Sequence, residues 1–183
     1  MSIKWETNDE IEIPKGVSVE IDSGHVKFSG PKGNASRVFR DNYVKIEKKG
    51  EKILVMISKK NKRNLAIAGT WASMSRTLFR GVTEGFTYEM KIDYTHFPMR
   101  VSVKGNSTVI ENFLGERSHR SAEIVGSSKV SVKGDRITIT GVDKEEIGHT
   151  ASNIERATKI KGFDLRVFQD GIYLLGGVSD ESA

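Results

Sequence analysis

One pattern of strands and a helix occurs twice along this chain. Residues 17–19 read Val-Ser-Val and recur as residues 101–103, and residues 28–32 have their counterpart at residues 113–117. The offsets are 84 and 85 residues, so the two copies run in the same order. Self-similarity at a fixed spacing indicates that one supersecondary unit has been used twice. The sequence therefore predicts two similar domains within its 183 residues.

Each copy contains a hairpin followed by a helix. Apolar residues alternate in residues 44–46 and 53–57, and again in residues 130–132 and 137–140, which is typical of paired strands. A stripe with helical spacing follows each hairpin and predicts a core-facing helix. Its members are Ile67, Trp71, Met74 and Leu78 in the first copy and Ile147, Ala151, Ile154 and Thr158 in the second. Asp143 and Glu146 have the spacing of an N-terminal capping box.

The segments after the helices complete the predicted fold. Leu165 and Val167 are expected to form a strand that turns at residues 170–171 and returns at residues 172–175. We expect an α+β fold of two tandem duplicated domains, each an antiparallel β-sheet packed with one α-helix. The expected ranges are 1–83 for the first repeat, 84–178 for the second and 179–183 for a frayed tail, with residues 81–85 as the hinge.

Several kinds of chemistry are disfavoured by what the chain lacks. The absence of cysteine excludes disulfides, thiolate metal sites and a cysteine nucleophile. No segment approaches the ~18 apolar residues of a membrane span, and no apolar signal core is present at the start. The four histidines lack ligand-like spacing, and no phosphate-binding glycine loop or nucleophile motif occurs. We expect a soluble, unexported protein that is not an enzyme, with no metal, no cofactor, no small-molecule substrate and no membrane partner.

The charge pattern indicates an anionic partner such as nucleic acid. The net charge is +5, with 16 Lys and Arg against 9 Asp and Glu in residues 1–83, and 13 against 15 in residues 84–183. The first repeat is therefore strongly basic, and most of its excess lies in residues 45–63. A lysine-rich hairpin edge also resists edge-to-edge aggregation, so this cluster has both a structural and an RNA-binding interpretation.

Residues 112–120 read Asn-Phe-Leu-Gly-Glu-Arg-Ser-His-Arg and follow a strand-like run. Arginine binds phosphate oxygens through a planar fork of donors, although a charged segment of this kind also suits a solvated hairpin tip. Phe113 is either a core anchor, as its counterpart Phe28 suggests, or a side chain that stacks on a base. Glu116 has three open roles: orienting Arg117, accepting a hydrogen bond from a nucleotide, or simple solvation.

Four ordered motifs carry a resemblance to a known family. They are residues 81–86 (GVTEGF), 94–99 (YTHFPM), 109–117 (VIENFLGER) and 166–173 (RVFQDGIY). Together, in a duplicated α+β chain, they resemble the family of the sixth large-subunit ribosomal protein in its archaeal and eukaryotic-cytosolic form. The likeness spans nearly the whole chain.

The resemblance implies a structural constituent of the large ribosomal subunit that supports subunit assembly and translation in the cytoplasm. It implies binding to large-subunit rRNA near the stalk base and the factor-binding sarcin-ricin region. Neighbouring large-subunit ribosomal proteins and translation factors would lie nearby. The second repeat would be the main rRNA-binding domain, and the first would be peripheral. That second repeat is net acidic, so we expect a few placed arginines and backbone amides to bind phosphates while the acids lie on other faces.

The candidate contacts fall into two groups. The resemblance implies Asn112, Phe113, Gly115, Glu116, Arg117 and Arg120 as one contact loop, with Lys159, Lys161, Arg166 and Gln169 nearby. The charge pattern adds Lys59, Lys60, Lys62 and Arg63 as a secondary RNA contact. The residues alone also leave open an adapter that recruits proteins through exposed sheet edges. A nucleic-acid-processing enzyme would instead need converging carboxylates or histidines.

Overall fold

The computed structural model describes residues 5–175. These divide into two compact units, the first ending at Gly85 and the second beginning at Phe86. Each unit contains antiparallel strands and one long helix. The α+β class and the duplication are therefore confirmed. The predicted tail, residues 179–183, lies outside the described residues.

The first unit places one helix against two small sheets. Its elements are β1 (Glu6–Glu12), β2 (Ser18–Asp22), β3 (His25–Gly30), β4 (Gly33–Val38), β5 (Val44–Lys49), β6 (Lys52–Ile57) and α1 (Lys62–Thr83). The strand orders are β1-β6-β5 and β2-β3-β4. Asn61 caps the start of the helix, because its side chain accepts a hydrogen bond from the Asn64 backbone N–H at 2.8 Å. It buries Trp71 and Leu78 against the strands.

The second unit repeats this order and adds one strand. Its elements are β7 (Phe86–Asp93), β8 (Arg100–Lys104), β9 (Ser107–Glu111), β10 (Arg120–Glu123), β11 (Lys129–Lys133), β12 (Arg136–Gly141), α2 (Lys144–Ala157) and β13 (Gly171–Leu174). The strand orders are β11-β12-β7-β13 and β10-β9-β8. Asp143 caps α2 by accepting from the Glu145 N–H. The core joins the helix face of Ile147 and Ile154 to the inner faces of both sheets.

The sheets differ in number and composition from the expected single sheet per repeat. Six strands of each unit divide into two antiparallel sheets, and β7 opens the second unit as β1 opens the first. The additional strand β13 pairs with β7 in antiparallel register, with Ile172 opposite Ile92. Because β13 pairs with the last residues of β7, the segment that precedes β13 lies at the end of the sheet where β7 finishes.

The predicted strand at Leu165 and Val167 is wrong. Asp164 instead organises a turn, because its carboxylate accepts from the Arg166 N–H at 2.9 Å and its carbonyl accepts from the N–H groups of Val167 and Phe168. Leu165 and Val167 are 63% and 59% exposed, so their alternation does not reflect a buried strand face. The predicted hairpin at residues 170–171 is therefore also absent. The hinge expected at residues 81–85 also differs from the structure, because residues 81–83 belong to α1.

Candidate nucleic-acid interface

The basic loop, residues 112–119, joins β9 to β10 and has an unusual backbone. Asn112, Leu114 and Gly115 have φ angles of 60°, 50° and 77°, all in the left-handed region. Glycine adopts this region freely, asparagine tolerates it, and for leucine it is costly. A conformation of this kind persists only where surrounding contacts impose it. The corresponding segment of the first unit is a tight turn at Pro31 and Lys32, between paired Gly30 and Gly33.

Phe113 is the anchor of the basic loop. Its side chain is fully buried in the core of the second unit, as Phe28 is in the first. Partly buried Leu114 packs against the same core. The core-anchor interpretation of Phe113 is thus correct. Because the ring is fully buried and has no face available for a base, we do not retain the Phe113 side chain among the proposed RNA contacts.

Arg120 is bound inside the protein, where it joins the basic loop to the end of α2. Its Nε and Nη2 donate to the two carboxylate oxygens of Glu116 at 2.8 and 2.6 Å. Its Nη1 donates to the carbonyls of Ala157 at 2.8 Å and Lys159 at 3.3 Å. The guanidinium carbon lies 4.2 Å from the centre of the Phe113 ring. We call this set of contacts the Arg120 clamp.

The clamp also decides the role of Glu116. The hydrogen bonds from Arg120, helped by its positive charge and opposed by partial burial, lower the pKa of Glu116 below its ordinary value. Of the roles left open by the sequence, the structure favours an orienting one, but the arginine that Glu116 orients is Arg120. Four N–H···O hydrogen bonds already occupy the Arg120 guanidinium. Arg120 is therefore less available to a phosphate than an arginine without internal partners. Both residues shape the loop from within.

The remaining candidates in the second unit are exposed. Arg117, Lys159, Lys161 and Gln169 have no hydrogen bond or ion pair from their side chains to any other described residue, and Arg166 is 93% exposed with only a 3.7 Å contact to Asp164. Asn112 is exposed and donates from Nδ2 to the Pro98 carbonyl at 3.1 Å. Gly115 is exposed too. Because the clamp joins the basic loop to residues 157–159, Arg117 and Lys159 belong to neighbouring segments.

A second structured turn completes this region. The carboxy-terminal turn, residues 163–169, follows α2 and contributes Leu165 to a cleft of about 420 Å³ that is also lined by Arg156, Lys159 and Tyr173. The Tyr173 hydroxyl donates to the Gln169 carbonyl at 2.9 Å and holds the end of the turn against β13. Lys159 and the carboxy-terminal turn thus border one depression.

A third segment belongs to a motif noted in the sequence, but its contacts with this region were not foreseen. The bridging segment, residues 94–98, follows β7 and contacts both other parts. A Cβ atom at Gly115 would lie 3.3 Å from two ring carbons of Phe97, so this ring packs directly on the basic loop. The side chain of Asp170 accepts hydrogen bonds from the backbone of Thr95 and His96. Asp170 carried no local signal beyond that of a turn residue, because its partners lie about 75 positions earlier in the chain.

The predicted secondary contact lies at the start of α1. The side chains of Lys59, Lys60, Lys62 and Arg63 are all exposed, and none pairs with an acidic side chain among residues 5–175. Other lysines of the basic stretch are engaged, since Lys48 donates to the Val19 carbonyl and Lys52 pairs with Glu10. Lys59, Lys60, Lys62 and Arg63 therefore form a run of four cations without acidic partners among the described residues, before and within the first turn of α1.

A protein-family model described as ribosomal protein L6 matches residues 13–85 and 97–171. These two segments cover most of the chain, one in each unit. The chain belongs to the ribosomal protein L6 family. The resemblance inferred from the four motifs is thereby confirmed, and this is a family of ribosomal proteins, not of enzymes.

Relatives of the L6 family match over nearly their full length. A large ribosomal subunit protein uL6 from Picrophilus torridus is 56% identical over 98% of this chain and 99% of the relative. The same-named protein of Thermoplasma volcanium is 56% identical over 94% of this chain and 97% of its own. That of Methanobrevibacter smithii is 50% identical, over 91% and 94% respectively. The similarity thus extends through both units.

Two further findings concern sites other than the candidate interface of this L6-family chain. Within residues 5–175, no helix combines the length and the apolarity needed to cross a membrane. Across the same described part of the chain, no group of three or more His, Asp or Glu side chains is arranged to hold a metal ion.

Proposed function

We propose that this chain is a structural constituent of the large ribosomal subunit and binds large-subunit rRNA in the cytoplasm. Membership of the L6 family and relatives named as large-subunit proteins support the assignment to this subunit. Within the subunit, the family resemblance favours a position near the stalk base and the factor-binding sarcin-ricin region, in support of assembly and translation. Neighbouring ribosomal proteins and translation factors are the partners expected there.

The Arg120 clamp is the observation that carries the assignment of the RNA contact. It joins the basic loop to the end of α2 through hydrogen bonds of 2.6 to 3.3 Å. Arg117 and Lys159 consequently project from segments with a fixed spacing, and neither side chain has an internal partner among the described residues. A loop held in one shape by internal contacts suits a phosphate backbone, because little further ordering of the loop backbone is needed on binding.

The proposed contact residues are narrower than the set expected from sequence. Arg117 offers a free guanidinium for bidentate phosphate binding, and Lys159, Lys161 and Arg166 add positive charge around it. Asn112, Gly115 and Gln169 contribute exposed polar groups or backbone. Arg120 and Glu116 act by shaping this surface, and Phe113 anchors it. This local arrangement accommodates a second repeat that is net acidic as a whole.

The first repeat takes the secondary role in this proposal. Lys62 and Arg63 lie in the first turn of α1, where the helix dipole disfavours positive side chains. A phosphate at this position would relieve that repulsion and pair with Lys59 and Lys60. We assign these four residues to a peripheral RNA contact and retain the second repeat as the main RNA-binding domain.

Exchange of Arg117 for alanine tests this function. Binding of the full chain to large-subunit rRNA is measured over a range of salt concentrations, with Lys129→Ala as the matched control. Lys129 is an exposed cation of the same unit at the start of β11, at the opposite end of that strand from the β11–β12 turn. We expect Arg117→Ala to weaken binding about tenfold and to reduce the salt slope by about one ion.

The control should change affinity much less. Equal effects of Arg117→Ala and Lys129→Ala would show that RNA responds only to net charge and would contradict the assigned surface. Retrieval of partner proteins after complete nuclease digestion, together with no rRNA binding by the isolated chain, would favour the adapter function instead.

A further inference from the structure

A buried carboxylate links the separate segments of the candidate interface. The side chain of Asp170 has no exposed surface, although it lies between the exposed carboxy-terminal turn and β13. Its Oδ1 accepts from the Thr95 N–H at 3.1 Å and lies 3.4 Å from His96 Nδ1. Its Oδ2 accepts from the His96 N–H at 3.4 Å. One side chain therefore fixes two consecutive residues of the bridging segment.

The bridging segment transmits this constraint to the basic loop. Two residues after Thr95, the Phe97 ring packs on Gly115, where an added Cβ would lie 3.3 Å from the ring. The next carbonyl, that of Pro98, accepts from Asn112 Nδ2 at 3.1 Å. Gly115 and Asn112 are two of the three left-handed residues that give the loop its shape. The loop geometry thus depends on contacts from the segment that Asp170 holds.

The same carboxylate is connected to the carboxy-terminal turn. The His96 ring packs on Phe168 with ring centres 4.6 Å apart, and Phe168 packs on Phe163 at 4.9 Å. Asp170 itself follows this turn directly in the chain. A contiguous series of contacts therefore leads from the turn that carries Arg166, through Asp170 and His96, to the loop that carries Arg117.

The groups around the Asp170 carboxyl stabilise its ionised form. Burial raises the pKa of the Asp170 carboxyl, but hydrogen bonds from Thr95 and His96 and the charge of His96 together bring it below its ordinary value. The ionised form is consequently held by its partners. Loss of one oxygen acceptor would leave a backbone N–H of the bridging segment without its partner, which is unfavourable in a buried position.

We propose that Asp170 is a positioning residue for RNA recognition: through the bridging segment it holds the basic loop and the carboxy-terminal turn in one fixed arrangement. This inference rests on the proposed rRNA contact at Arg117. Asp170 has no exposed surface and acts on RNA only through residues 94–98 and the segments that they contact.

Asp170→Asn tests the proposal in the full chain. The change preserves side-chain size but replaces one carboxylate oxygen by an amide donor that faces the bridging N–H groups. Asp135→Asn is the control for charge, because Asp135 lies at the same end of the four-stranded sheet, is exposed and makes no side-chain hydrogen bond to described residues. Both changes make the protein more positive by one charge, so electrostatics alone would strengthen RNA binding in both.

Two measurements are needed, one with RNA and one without it. Backbone hydrogen exchange of the free protein is expected to accelerate at residues 95–98 and 112–117 in Asp170→Asn and to remain unchanged in Asp135→Asn. Affinity for large-subunit rRNA is expected to fall about fivefold in Asp170→Asn, within the range of coupled neighbouring residues. The loss should largely disappear in an Arg117→Ala background, because both changes act on the same contact.

A merely structural role predicts a different pattern. If Asp170→Asn altered stability but its effect on affinity were additive with Arg117→Ala, the positioning role would be refuted. The same holds if exchange changed at residues 95–98 but not at residues 112–117. If the wild-type protein did not bind rRNA, the proposed function would fail, and the exchange measurement alone would decide whether Asp170 positions the loop.

A second variant covers the case in which Asp170→Asn does not fold. Phe97→Ala removes the ring that packs on Gly115 and leaves the buried carboxylate intact; Phe97 is 41% exposed, so its removal spares the core. We expect the same faster exchange at residues 112–117 and the same coupling to Arg117→Ala. Normal exchange and normal affinity in Phe97→Ala would overturn the proposal.

Discussion

At the scale of single residues, two arginines of similar sequence context have opposite environments. Arg117 is exposed and has no partner among the described residues, whereas Arg120 donates to Glu116 and to two backbone carbonyls and covers the Phe113 ring. The sequence predicts both as RNA ligands, because composition does not reveal where a guanidinium points. The difference arises from the end of α2, which brings free carbonyls to Arg120 but not to Arg117.

Arg120→Ala should therefore behave as a stability variant. It leaves a partly buried carboxylate and two carbonyls without their donor, and we expect the free energy of unfolding to fall by about 1–3 kcal/mol. Arg120→Lys should recover little of this loss, since an ammonium cannot reproduce the fork. Urea titrations followed by far-UV circular dichroism measure these changes.

Arg117→Ala provides the matched comparison for Arg120. Its unfolding free energy should stay within about 0.5 kcal/mol of the wild type, because the side chain is exposed. An Arg120→Ala protein of unchanged stability that lost as much RNA affinity as Arg117→Ala would identify Arg120 as a direct ligand and contradict the clamp.

At the scale of elements, the two helices begin with opposite charges. The first turn of α2 contains Glu145 and Glu146, which complement the helix dipole. The first turn of α1 contains no acid and instead carries Lys62 and Arg63. The two helices thus differ in the charge of their first turns, and the positive first turn of α1 fits the peripheral RNA contact that we propose, at some cost to the isolated helix.

Neutralising this end by exchanging Lys59, Lys60, Lys62 and Arg63 for glutamine should have two opposite effects. The helix should become slightly more stable, by about 0.3–1 kcal/mol per residue in the first turn. RNA binding should weaken less than in Arg117→Ala, while the salt slope still decreases. Unfolding titrations and salt-dependent binding measure the two effects, and an affinity loss equal to or larger than that of Arg117→Ala would reverse the ranking of the two repeats.

The elements also show which parts of the fold the sequence predicts. Hairpins and helices follow from alternation and from stripes such as that of Ile147, Ala151 and Ile154, because these patterns report burial against a core. The burial of Phe113 was predictable from its counterpart Phe28. The alternation of Leu165 and Val167 gave a wrong prediction of a strand, because the same alternation also occurs in an exposed turn. That turn is set by Asp164, and the position beside β7 is taken by β13.

The candidate interface was predictable only in part. Its exposed cations follow from charge and from the family resemblance. The Arg120 clamp joins Arg120 to Ala157, 37 positions later, and the Asp170 carboxylate binds the backbone of Thr95, 75 positions earlier. No local pattern encodes such pairs, since they arise when the sheet and α2 bring distant segments to one end of the unit.

At the scale of the whole molecule, one architecture was duplicated and then specialised. Within the described residues, both units have two sets of three antiparallel strands and a helix. In this part of the chain, the longer loop, between β9 and β10, and the added strand β13 occur in the second unit and not in the first. The additions lie where the candidate RNA contacts and their internal ties occur. Duplication therefore supplies the scaffold, and divergence at one end of the second unit supplies the proposed function.

Acid should weaken the hydrogen bonds that the Glu116 and Asp170 carboxylates accept within the second unit. The pKa values of Glu116 and Asp170 are both lowered in the folded state. Their stabilisation is therefore present above the unfolded pKa values of about 4 and is lost as pH falls through the folded values. We expect Asp170→Asn and Glu116→Gln to be less stable than the wild type at pH 7, and we expect this difference in stability to shrink as pH falls below about 4.

Unfolding titrations across this range check the pH dependence. The fluorescence of Trp5 and Trp71, both in the first unit, reports on that unit, and far-UV circular dichroism includes both. A stability difference between wild type and Asp170→Asn that is the same at pH 3 and pH 7 would contradict a stabilising role of the ionised Asp170 carboxyl.

One surface of the second unit, formed by the basic loop, the end of α2 and the carboxy-terminal turn, is proposed to contact rRNA. Ultraviolet cross-linking of the full chain to large-subunit rRNA, followed by identification of the cross-linked peptides, tests it most directly. We expect cross-links concentrated in residues 112–117 and 159–169, with a weaker set at residues 59–63. Cross-links confined to the first unit, or clustered around the start of α2, would contradict an RNA contact at this surface.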